Sequence, residues 1–342
     1  MFNQKFRKTH AMLLATGMIF GSSYVAANNN AIPQEINFSS EGLYPEGIDY
    51  SSKEKAFYLS SVSKGQITKV TADGTQSTVV LDDALISSIG LKIDTARNRL
   101  IVCNSDPGVS SKSLQTTKGQ LANIAIYDID SGKKLQSIDL TSSLSESSKS
   151  KSGHLANDVT LDSEGNLYIT DSFAPVIYKV TPDGQSSVFI EDERLATAPG
   201  TFGLNGIEFH PDGYLITAIY DSGRLFKIPL NQPTALKEIT FEVPKAIKID
   251  GLLLTKSNQL ALVTNSLAGP SFPSAVYQLT TTDQWNSARL TAQFDTGTTF
   301  PTTLTEVNDE LFVVYSHLHQ LFSGTKTPVK DFKIQKVEFS AL

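Results

Sequence analysis

One cysteine in 342 residues leaves Cys103 without a partner for an internal disulfide. It lies in the apolar run Leu100–Cys103, which reads as a buried strand with a small hydrophobe in it, and no neighbouring residues supply a thiolate or zinc site. Long helical periodicity is missing after the N-terminus, so a helical architecture is excluded and the chain reads as all-β. Basic residues are outnumbered, 29 Lys and Arg against 35 Asp and Glu, for a net charge of −6. That balance argues against nucleic acid and anionic membranes as partners and suits bound cations.

The N-terminus reads as a targeting segment. Lys5, Arg7, Lys8 and His10 form a basic region, Ala11–Gly21 an apolar core too short to span a membrane, and Val25-Ala26-Ala27 a small-residue cleavage signal. Residues 1–27 are therefore expected to be removed, leaving 28–342 as one domain, exported to a periplasm or secreted and free of the membrane. Their loss takes three positive charges and no acid, which moves the net charge from −6 to −9.

What is present is a repeat. Asn157 onward and Asn205 onward share one grammar: a short apolar run, a Glu-Gly or Asp-Gly turn, an alternating run, a polar Asp-Ser step and a third run. Glycine after an acidic residue supplies the positive φ that tight hairpins need, so each unit is a four-stranded antiparallel meander. Weaker copies open at Glu46, Ile89, Asp250 and Thr302, at intervals of 43, 68, 48, 45 and 52 residues. Six openings at that spacing predict a six-bladed β-propeller with a long insertion in the second blade. The sixth unit offers Thr303–Val307, Leu311–Tyr315 and a third strand near Phe332–Phe339, then stops. A spare strand at Glu35–Phe38 is expected to complete it, close the ring and remove an unpaired edge.

Four openings begin on an oxygen-bearing side chain, in Pro45-Glu46-Gly47-Ile48, Ala156-Asn157-Asp158-Val159, Leu204-Asn205-Gly206-Ile207 and Ile249-Asp250-Gly251-Leu252. One closed ring brings Glu46, Asn157, Asn205 and Asp250 together at its axis. Asn-Gly and Asp-Gly are also everyday turn formers, so the weight rests on four equivalent positions rather than on any one. Strand direction adds the rim: the second strand of each blade climbs back to the face where the first began, so Asn104, Asp106, Asp171, Asp221, Asn265 and His317 are expected on the ligand face. His154, three residues before Asn157, and His319 join them as candidates to assist. His210, in the Phe209–Gly213 turn, belongs to the opposite face and reads as a turn residue. The Ser/Lys-rich stretch 142–152 reads as a flexible solvated loop on the ligand face, beside the other long connections there.

The openings PEGI, AND, NGI and DG, with the strings GNLYITDS and YKVTPDG, resemble the SMP-30/gluconolactonase family of six-bladed propellers, related in fold to diisopropyl fluorophosphatase and the paraoxonases. The resemblance covers nearly all of the mature chain and is strongest from Asn157 to Asp250. It implies one divalent cation in the central tunnel, calcium or else magnesium, held by Glu46, Asn157, Asn205 and Asp250. Two carboxylates and two amide carbonyls are a hard oxygen set of the right kind for either ion and a poor one for zinc or copper. The activity implied is hydrolysis of a small lactone or ester, with Asp250 as the base that takes a proton from water. No arginine or other sugar-contacting group is matched in the rim loops. The alternatives from other classes are a secreted propeller that binds a small molecule or protein around a structural calcium, and a strictosidine-synthase-like relative, against which the intact ligand set argues.

Overall fold

Antiparallel hairpins are the units from which the chain is built, and their turns behave as the sequence requires: Gly165 and Gly213 hold φ of +87° and +86°. The computed structural model describes residues 1–2, 31–151, 153–243, 247–267 and 273–342, and Pro33–Leu342 forms one compact unit. The expected export signal lies outside the described residues apart from Met1 and Phe2. Among the described residues no helix is long and apolar enough to cross a membrane.

The described strands form six antiparallel sheets, each the expected blade. Their innermost strands are Ile48–Ser51, Ser87–Asp94, Ala156–Leu161, Leu204–His210, Ile249–Leu254 and Pro301–Val307. Glu35–Ser39 pairs antiparallel with Asp331–Lys336, so the N-terminal strand is the outermost strand of blade six and closes the ring. With that place filled, the end of the chain turns elsewhere. Ser340–Ala341 pairs with Arg289–Asp295 as a fifth strand on blade five, whereas the sequence suggested one strand running on to Phe339.

Burial follows position in the blade. Leu204–His210 is buried almost throughout because an innermost strand is sandwiched between neighbouring blades, while the outermost Lys134–Asp139 is largely exposed. Between blades four and five, Ile216 and Leu225 pack with Leu252, Leu260, Leu262 and Trp285. Side-chain hydroxyls stitch adjacent blades where the core gives way to the axis: Ser105 Oγ donates to Ala156 O (2.8 Å), Thr170 Oγ1 to Asn205 O (2.8 Å) and Thr302 Oγ1 to Glu46 O (2.8 Å). The last bond joins blade six to blade one.

Two short helices lie in connections. Helix α1, Glu146–Lys151, occupies the stretch expected to be a flexible loop. Its Ser148 is buried and bonded to the Glu191 carboxylate at 2.9 Å, an anchor that overrides the polar composition. Helix α2, Leu318–Phe322, follows His317, whose φ of +54° turns the chain into it.

Candidate functional site

In blades two to six the ladder between the first two strands slips at one place: between Ser88 and Leu91, Ala156 and Val159, Leu204 and Ile207, Ile249 and Leu252, and Pro301 and Leu304. The extra residues are the repeat openings. A bulge re-aims a side chain that a regular strand sends into a neighbouring blade, which is how Asn157, Asn205 and Asp250 come to line one cavity with Glu46. In blade one the Ser60 hydroxyl does this work, accepting from the N–H groups of Glu46 (3.3 Å) and Gly47 (2.7 Å). The glycines that follow the openings are not turn glycines. A Cβ on Gly206 meets Leu252 N at 2.6 Å, and one on Gly251 meets Thr302 O at 2.7 Å, so they are there because the next innermost strand passes too close.

The four side chains are 4–8% exposed. Glu46 Oε2 and Asn157 Oδ1 are buried without a hydrogen-bond partner. Asp250 accepts from the side-chain amides of Asn265 (2.5 Å) and Asn205, and an Asn205 amide nitrogen engaged in this way leaves its carbonyl oxygen for another partner. Burial, then the charges of Asp250 and Asp158, push Glu46 well above the ordinary carboxylate range. Burial pushes Asp250 up to about 7 against the hydrogen bonds from Asn265 and Asn205. Two buried carboxylates thus share the cavity with two unpartnered oxygens, Glu46 Oε2 and Asn157 Oδ1, a set of hard oxygen atoms. Among the described residues no three His, Cys, Asp or Glu side chains gather as ligands, so the donor set depends on the two amide oxygens.

The rim residues divide into distinct roles. Asn265 is a positioning residue, donating to Asp250 and to Pro301 O (2.5 Å) while accepting from the Tyr220 hydroxyl at 2.9 Å. Asp171 holds His154 through Nδ1 at 2.8 Å and also accepts from Tyr178. Asn104 is used up by Ile86 N and Ala84 O, both at 2.9 Å. Asp106 is fully buried under its own loop, accepting from Gly108, Ser113, Leu114 and Thr117. Asn104 lies beside the blade-two opening, opposite Ser88, and the polar atoms of Asn104 and Asp106 are engaged by their own surroundings. Asp221 pairs with Lys248. His317 caps α2, and its ring lies 6.1 Å from that of His319. His210 is on the far rim, directly opposite Tyr214, with Nε2 on Asn258 Oδ1 at 2.9 Å. Its other ring nitrogen, Nδ1, accepts from Asp212 N within the same turn.

Two features escaped the sequence reading. Further along the innermost strands, three positions after the openings at Asp49, Lys92 and Glu208 and one position after at Asp158, lies a second polar layer in which Lys92 Nζ meets Glu208 Oε1 at 2.9 Å. Asp49 accepts from Ile93 N (2.8 Å) and Thr305 (3.1 Å), and Asp158 from Val159 N (2.9 Å) and Ile207 N (3.3 Å). Burial opposes the Lys92 charge, but Glu208, Asp49 and Asp158 outweigh it and hold the ammonium protonated. Aligning the fourth residue of each repeat as well as the first would have found Asp49, Lys92 and Glu208, though not Asp158. The other feature is an apolar roof. Val62, Leu155, Phe202, Phe300, Leu318 and Phe322 close over the polar floor and leave a cavity of about 50 Å³. Beyond Pro107, Phe202 and Phe322, which line both, lies a second cavity of about 670 Å³.

Comparison with known proteins matches residues 44–262 to the family described as the SMP-30/Gluconolactonase/LRE-like region. None of the curated proteins matches the sequence. Among solved structures, the chain is similar to the major Malassezia sympodialis allergen Mala s 1, at 18% identity, 90% and 97% coverage of the two chains and a TM-score of 0.71. It is similar as well to a gluconolactonase from Xanthomonas campestris (14%, 87% and 87%, 0.55) and to virginiamycin B lyase from Staphylococcus aureus (14%, 89% and 98%, 0.55). At such identities the likeness is one of fold.

Proposed function

The chain belongs to the SMP-30/gluconolactonase/LRE-like family, and from that membership we propose that it is a lactonase-type hydrolase whose polar floor holds one divalent cation, calcium or else magnesium. The observation that carries the cation is the pair of buried, unpartnered oxygens, Glu46 Oε2 and Asn157 Oδ1, beside Asp250 and Asn205. When bound, such an ion supplies Lewis acidity toward a carbonyl oxygen and stabilises negative charge there, a contribution on the order of several kcal/mol. Asp250 is assigned as the base that accepts a proton from the attacking water. Asn265 keeps its carboxylate in place, and Tyr220 keeps Asn265 in place. The apolar roof excludes bulk water and favours an apolar lactone or ester over a polyhydroxylated sugar lactone, whose hydroxyls would lose their partners there.

A second reading, a propeller that binds a small apolar molecule around a structural calcium, is favoured by the smallness of the roofed cavity. Metal analysis of the purified protein, with a screen of lactones, aryl esters and phosphotriesters before and after chelation, separates the two. Turnover lost with EDTA and restored by calcium is the expected result. A retained metal with no turnover supports the binding protein, and turnover indifferent to chelation overturns the cation-dependent mechanism.

A further inference from the structure

The cavity over the floor has room for a few water-sized groups, whereas the adjoining cavity of about 670 Å³ is of ligand size. That second cavity is walled mainly by carbon, including Phe173, Phe202 and Phe322. Phe202 is the hub of the wall, with ring centroids 5.4 Å from Phe173 and 6.0 Å from Phe322. One polar side chain on its lining stands out. His154 is 3% exposed, and its Nε2 is buried with no hydrogen-bond partner.

The bonding around Asp171 decides what that nitrogen is. Asp171 Oδ1 accepts from Leu155 N (2.8 Å) and Phe173 N (3.0 Å), and Oδ2 accepts from the Tyr178 hydroxyl (2.8 Å). Against a carboxylate already used as an acceptor by three donors, His154 Nδ1, 2.8 Å from Oδ2, is assigned the ring proton and donates it. In the neutral ring Nε2 is then a bare lone pair, an acceptor held in one orientation. A buried acceptor left empty carries a desolvation penalty that a donor on a bound molecule removes. We propose that the second cavity is a binding site for an apolar small molecule carrying a hydroxyl, with the body against Phe173, Phe202 and Phe322 and the O–H donated to His154 Nε2. The proposal rests on neither the cation nor turnover.

A matched pair of probes tests it by calorimetry in the presence of EDTA: 2-naphthol, which donates, and 2-methoxynaphthalene, which cannot. The native protein is expected to bind 2-naphthol about tenfold more tightly. His154→Phe is expected to erase that preference while keeping the affinity for 2-methoxynaphthalene. If the variant misfolds, ¹⁵N-histidine spectra of the native protein replace it. His154 is recognised there by its Nδ1–H tautomer, opposite to that of His210, whose Nδ1 accepts from Asp212 N (3.1 Å). Its Nε2 resonance is expected to shift on saturation with 2-naphthol. Equal affinities in the native protein, no binding of either probe, or an unmoved His154 resonance at saturation would each overturn the assignment.

Discussion

Two polar layers lie along the innermost strands, and they solve one problem in opposite ways. The lower layer, Asp49, Lys92, Asp158 and Glu208, contains its own cation, and its carboxylates are bonded to Lys92 or to backbone N–H groups. The upper layer, Glu46, Asn157, Asn205 and Asp250, has no ammonium and leaves Glu46 Oε2 and Asn157 Oδ1 without partners. Buried charge is tolerated when it is paired and hydrogen-bonded. The acceptors of the lower layer are therefore met within the fold, and the upper layer keeps two that are not. This difference, more than the residue types, marks the upper layer as the candidate site.

The largest effect comes from breaking the complete layer. Lys92→Met leaves Glu208 buried and unpaired and is expected to cost about 3 kcal/mol of stability. Lys92→Met combined with Glu208→Leu removes both charges and should recover most of that loss. Urea unfolding of the three proteins measures it. A single variant as stable as the native chain would show that Lys92 is not the counter-charge of Glu208.

Changes in the upper layer are expected to act on the proposed ion instead. Asp250→Asn keeps the shape and removes a charge, so calcium affinity should fall on the order of 100-fold and turnover with it. Asn205→Ala removes a neutral ligand, costs about tenfold in affinity, and leaves activity partly recoverable at high calcium by mass action. Asn265→Ala, one bond further out, should also cost about tenfold through a mobile Asp250. Calorimetric titration of calcium ranks the three. If Asp250→Asn bound calcium and turned over like the native protein, both the cage and the base would be misassigned.

How much of this was legible in the sequence follows from what repeats. The six blades, the closing strand and the four upper-layer residues recur at equivalent positions, so aligning the repeats was enough to find them. The bulges that aim those residues do not show in a hydrophobic pattern, and the glycines after them looked like turn formers although the close approach of the next strand requires them. Lys92 and Glu208 sit on strands whose alternation suggests surface charge, because the axis of a propeller is a second, narrow surface. The roof comes from unrelated connections, with Val62, Phe202, Phe300 and Phe322 far apart in the chain, and nothing local links them. For Asn104 and Asp106, strand direction says nothing about whether a polar group is already engaged by its own loop.

The smallest effect separates the roof from both layers. His317 and His319 flank the start of α2, which sets Leu318 and Phe322 over the floor. Burial holds both rings below the ordinary histidine range, and for His317 the charge of His319 adds to it. Between the lowered folded value and the ordinary one the unfolded chain binds more protons than the folded one, so stability is full above about pH 6.5 and is lost as pH falls through the folded value. His317→Asn, suited to the left-handed backbone there, combined with His319→Gln should flatten that decline without changing calcium affinity near neutral pH. Melting temperatures of native and variant proteins between about pH 5 and about pH 8 provide the check. A decline that persists unchanged in the double variant would assign the acid sensitivity to other groups and leave the roof indifferent to pH.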